Sequence, residues 1–160
     1  MRWVLEIHAL KIDDRLTIQF TKVFDGSDAE QNEASAASEA TRESWIENSS
    51  QESVLLAEQF LTEILKPIEP DISLTFKQQF LGLRVGNRVN NFVLFNPKRQ
   101  FLRVRVITSK TEEFAERLKA NGIDVFGIMD GRLKFRLTGA SFNTNRALLS
   151  ELCKSAYEEW

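Results

Sequence analysis

The sequence predicts an α+β fold: a mainly antiparallel sheet made of a meander and a hairpin, about three helices, and a further β-hairpin at the N-terminus. Three observations predict it. Short runs of alternating apolar and polar residues follow one another between residues 72 and 107, and strands joined this closely pair antiparallel. Three longer segments repeat apolar residues at helical spacing. The dipeptide Asp130-Gly131 sits between two alternating runs, which is the pattern of a tight hairpin.

The N-terminal hairpin comes first. Trp3, Leu5, Ile7 and Ala9 alternate with Val4, Glu6 and His8, and Leu16, Ile18 and Phe20 alternate with Thr17, Gln19 and Thr21. Asp13-Asp14 supplies the turn, so residues 1–24 are expected to form a β-hairpin. Residues 25–42 are small, polar and acidic and offer a core almost nothing, so they are expected to be a flexible linker. The compact domain is expected over 43–160. Within it, Ser49 and Glu52 have the spacing of a capping box before a helix at about 51–65, where Leu56, Phe60 and Ile64 form one stripe. Pro67 and Pro70 stop that helix.

Four strands are expected next, at Ile72–Lys77, Gln79–Val85, Phe92–Phe95 and Phe101–Ile107, with turns at Gly86-Asn87 and Asn96-Pro97. Ser109 and Glu112 repeat the capping-box spacing and open a helix at about 110–120, and Gly122 stands where a left-handed cap belongs. A hairpin follows, Ile123–Ile128 and Arg132–Leu137. A last helix runs from about 142 to 159. Leu149, Leu152, Cys153 and Ala156 line one face of it, which makes Cys153 a core thiol.

Composition narrows the function. With one cysteine and one histidine in 160 residues, the chain has neither an internal disulfide nor a zinc ligand set, and no cofactor is expected. No apolar run is long enough to span a membrane, and the N-terminus lacks the form of a signal peptide, so the cytoplasm is the expected location. His8 and Cys153 lie far apart, and no GxSxG, GxxxxGK[ST] or GxGxxG occurs. No acidic residue is followed two positions later by lysine, as a common metal-dependent nuclease motif requires. Glu112-Glu113 suit the first turn of a helix, where they complement its dipole. The chain is therefore expected not to be an enzyme.

Charge is divided unevenly. The net charge is −2, but residues 1–74 hold 15 acidic and 6 basic residues, while residues 75–160 hold 8 and 15. Much of the basic excess alternates with core residues. Arg103 and Arg105 oppose Leu102, Val104 and Val106; Arg132, Lys134 and Arg136 oppose Leu133, Phe135 and Leu137; Arg84 opposes Leu83 and Val85. If these strands share a sheet, one face is an array of cations, with the loop residues Arg88, Lys98 and Arg99 at its rim. Such a face attracts phosphate, so nucleic acid is the expected partner, with Phe80 and Phe95 as candidate stacking surfaces. The competing expectation is an ordinary solvated face. In that case the apolar N-terminal hairpin, with its open edges, would recruit a second copy or a partner protein.

Five stretches carry a family resemblance: SWIENSSQESVLLAEQFLTEI, NNFVLFNPKRQFLRVRV, EEFAERLKANGIDVFG, GRLKFRLT and RALLSELCKSAYEEW. In this order and spacing, residues from about 43 to 160 resemble a family of uncharacterised bacterial domains. The family is often labelled "predicted transport protein" and is common at the C-terminal end of longer bacterial proteins, including predicted nucleases. The resemblance implies an α+β domain and supplies no catalytic residues. Residues 1–42 lie outside it.

Overall fold

A computed structural model describes residues 4–12, 15–23 and 39–160, the first two stretches as backbone only. The chain divides into two compact units, Met1–Ala36 and Ala37–Trp160. In the first, β1 (Val4–Ile12) and β2 (Arg15–Val23) pair antiparallel, from Val4 opposite Val23 to Ile12 opposite Arg15. The expected turn at Asp13-Asp14, and residues 25–38 of the expected linker, lie outside the described residues.

The second unit is built on one seven-stranded sheet. Its strands are β3 (Ile72–Phe76), β4 (Leu81–Val85), β5 (Arg88–Val89), β6 (Val93–Pro97), β7 (Leu102–Ile107), β8 (Asp124–Met129) and β9 (Arg132–Leu137). The order across the sheet is β3-β4-β6-β7-β9-β8, with β5 attached to β4, and every pairing is antiparallel. The helices are α1 (Arg42–Asn48), α2 (Gln51–Phe60), α3 (Thr111–Ala120), α4 (Gly139–Thr144) and α5 (Arg146–Glu159). Their buried residues, among them Trp45, Phe60, Phe114, Phe142 and Leu152, join Leu83, Phe95, Val104 and Phe135 of the strands in one core. The α+β architecture is the expected one, with five helices in place of three.

The differences have local causes. Residues 39–42, expected in the linker, belong to the compact unit. Glu39 bridges Lys77, the Ala40 amide donates to the Phe76 carbonyl, and Thr41 caps α1 in a capping box with Ser44. Neither expected capping box forms. Ser49 instead closes α1 by donating to the Trp45 carbonyl, and Ser50 caps α2 by accepting from the Ser53 amide at 3.2 Å. α3 has no side-chain cap at its N-terminus. After Phe60, α2 loosens into a π-helical turn, Leu61–Leu65, which lets both Ile64 and Leu65 be buried.

The strand Gln79–Val85 begins later than expected, at Leu81. Asn96-Pro97 closes β6 and is not a turn; the reversal falls at 98–100, where the Lys98 amide donates to the Phe101 carbonyl. The last helix breaks at buried Asn145, whose amide nitrogen donates back to the Ser141 carbonyl at 2.9 Å and so competes with helical bonding. The Asp130-Gly131 turn is as expected, with φ of 52° and 71°, the left-handed pair that a two-residue hairpin needs.

Candidate nucleic-acid interface

Alternation along β7 and β9 decides what the sheet shows on the side away from the helices. Leu102, Val104, Val106, Leu133, Phe135 and Leu137 are fully buried, so the residues between them emerge on the opposite face. The register then sets like charge against like charge: Arg103 opposes Arg136, and Arg105 opposes Lys134, while Arg132 stands opposite Ile107. Directly opposed cations on an antiparallel pair are unfavourable, so such a ladder needs compensation.

Part of that compensation is visible. The Arg136 guanidinium is 3.1 Å from the Asp124 carboxylate, across the β8–β9 pair. The same guanidinium lies 5.0 Å from the Phe101 ring centroid and 5.5 Å from that of Phe126, and Arg103 lies 5.1 Å from Phe126. Ring faces attract cations, so Phe126 holds two opposed guanidinium groups that would otherwise repel. A bulge between Val125 and Gly127 shifts the register of β8 where Phe126 stands. Gly127 lies opposite Lys134, with the Lys134 Cδ 3.7 Å from where a β-carbon would sit. Arg103, Arg105, Arg132 and Lys134 are half-buried, and each takes part in a further interaction, so this is a packed array and not a set of loose charges. Leu94, opposite Arg105, is buried here outside the main core.

Other expected members stand apart. Arg84 is on the same side but two strands away, bonded to Ser73 Oγ at 3.1 Å, with Leu94 and Asn96 of β6 between it and the ladder. Arg88 pairs with Val85, which packs against the core, so it leaves on the side opposite Arg84. Arg99 lines a small cleft with Ser50, Glu52 and Thr138, on the helix side, and Lys98 sits in the β6–β7 reversal. The rim of loop cations expected around the face is therefore not assembled by Arg88 and Arg99.

Phe95 is no stacking surface: it is fully buried, with its ring 5.2 Å from that of Phe60 in the core. Phe80 has a ring carbon 3.2 Å from where a Gly82 β-carbon would stand, beside β4 and not on the two strands that carry the ladder. Among the described residues, the rings that meet Arg103 and Arg136 are Phe101 and Phe126. Alternation could have placed Phe101 beside β7 and Phe126 on the face of Asp124; Met129 reaches that face through the bulge, which alternation does not show.

Elsewhere, no group of His, Cys, Asp and Glu able to hold a metal exists among the described residues. A cleft of about 510 Å³ beside α1 is lined by Glu39, Trp45, Asn48 and Gln78. Cys153 is fully buried, and burial pushes its thiol pKa up, away from the reactive thiolate. No helix of the described residues is long and apolar enough to cross a membrane. Comparison with known proteins finds no matching family model, curated protein or solved structure. The likeness to the bacterial "predicted transport protein" domains therefore rests on the sequence stretches quoted above.

Proposed function

We propose that this protein is a non-catalytic binding module of the cytoplasm that holds a polyanion, chiefly nucleic acid, without strong sequence preference. The observation that carries this reading is the cross-strand ladder of Arg103, Arg136, Arg105 and Lys134, with Arg132 beside it. Stacking cations at cross-strand positions costs stability, and phosphate groups are the ligands that such guanidinium pairs suit through charge-assisted, bidentate hydrogen bonds. The resemblance to domains found at the ends of predicted nucleases points the same way by analogy.

The test is a titration with labelled oligonucleotides at low and at fourfold higher salt. Neutralising about four phosphates weakens binding more than tenfold over that range. Arg103→Glu with Arg105→Glu abolishes it, and Lys134→Glu weakens it, while each variant keeps a cooperative melt. Absence of binding at low salt would overturn the proposal.

A second reading has one observation in its favour. β8 is an edge of the sheet, and Phe126, Ile128 and Met129 on it are 37, 39 and 45% exposed. An apolar edge can pair with a strand of another protein or copy. Light scattering that shows a dimer, dissociated by Ile128→Lys, would favour it. The N-terminal hairpin remains the other candidate for such pairing.

A further inference from the structure

We infer that the ladder selects single-stranded over double-stranded nucleic acid, an inference that rests on the polyanion-binding reading above. The sheet geometry supplies the first reason. The cations stand on β7 and β9, which are interior strands flanked by β6 and β8. Four strands about 4.8 Å apart form a face roughly 14 Å across. The major groove of a duplex is about 12 Å wide and admits a helix or a two-stranded ribbon, so this face cannot enter it. A duplex meets the ladder through its backbone alone.

The second reason is the apolar border of the ladder. Met129 pairs with Arg132 and so shares the outward face, and it is 45% exposed; Phe126 meets Arg103 and Arg136 on that face and is 37% exposed. A single strand laid along β9 has both its parts served. Its phosphates take the places of the partners that Arg132, Lys134 and Arg136 now have, and its unpaired bases, turned toward β8, stack on the Phe126 ring and cover Met129. Stacking needs only an exposed π face, which every unpaired base has and a duplex hides. Arg103 and Arg136 hold the ring between strands, so it is presented in an ordered orientation.

The experiment compares three probes at matched salt: oligothymidylate, the same strand annealed to its complement, and inorganic polyphosphate, which has charge but no bases. The expected result is tighter binding of oligothymidylate than of duplex. Phe126→Ala and Phe126→Leu should each weaken oligothymidylate about fivefold or more. Both should leave duplex and polyphosphate within about twofold. Equal binding of single strand and duplex would overturn the inference while leaving polyanion binding intact. So would an equal loss for all three probes in both variants, because the ring would then serve only to hold the arginines. Failure of all three probes to bind at low salt would sink the underlying reading itself.

Discussion

A methyl group at Gly82 would have nowhere to go. A β-carbon there would stand 2.7 Å from Asn91 Oδ1, 3.0 Å from Thr75 Oγ1 and 3.2 Å from a Phe80 ring carbon. The crowding matters because Asn91 Oδ1 already accepts the Leu83 amide at 2.9 Å, where β4 and β6 part after a single register pair, Leu81 with Phe95. Gly82→Ala is expected to cost about 1–3 kcal/mol, read as a lower denaturation midpoint at unchanged slope. An unchanged midpoint would show that Asn91 moves aside without loss.

Glu159 offers a pH test at the same scale. Its carboxylate accepts from the Ser109 amide and from the Thr108 hydroxyl, at 3.0 Å for the latter, and these bonds hold its pKa below the usual range. The sign follows from linkage. The folded state prefers the ionised form, so the contribution is present above the unfolded carboxyl pKa of about 4.3 and is lost as pH falls through the lower folded value. Melting temperatures of wild type and Glu159→Gln should differ near neutral pH and converge in acid. Curves that stay parallel to the lowest pH would refute the assignment. The outward placement of Arg103, Arg105, Arg132, Lys134 and Arg136 was legible in the sequence, because alternation depends only on the neighbours. The partners of Glu159 were not, because they lie fifty residues away in the chain.

Among the elements, α4 depends on the residue just before it, which caps it. It has six residues, too few for a helix to persist by propensity, and Thr138 begins it with a capping box to Ser141. Thr138→Ala should destabilise the protein by about 1 kcal/mol, measured by chemical denaturation. A value near zero would mean that burial of Phe142 alone holds the turn. This box has Ser at its fourth position, as does the one at Thr41, whereas the familiar pattern has Glu or Gln there. Ser49–Glu52 and Ser109–Glu112 have the familiar spacing and form no box, while the two boxes that form lack its Glu or Gln. Strand positions were easier to read than caps, since several residues vote for an alternation and only two for a cap. The bulge in β8 had no vote: counted by alternation from Asp124, Phe126 falls on the arginine face, and Met129 joins it only because one residue is inserted.

Over the whole molecule, the core from Trp45 to Ala156 belongs to the unit that begins at Ala37. A chain starting at Ala37 should therefore fold alone, with a cooperative thermal transition followed by circular dichroism. A gradual, non-cooperative loss of signal would show that Met1–Ala36 is needed to complete the fold.

α5 is the last element of the chain, yet Leu149, Leu152, Cys153 and Ala156 are wholly inside the core. Tyr157 donates to the Glu69 carboxylate at 2.8 Å, and its ring packs against Phe92. Contacts of such long sequence separation form late and close large loops. On the ribosome, a nascent chain that has already emerged through β9 carries every arginine of the ladder but still lacks the helix that fills the core behind them. The sheet that aligns those cations has its full core only once α5 has joined it. The ladder is thus completed in one step, with the packing of α5, and a chain interrupted before α5 would carry its positive charge without the surface that organises it.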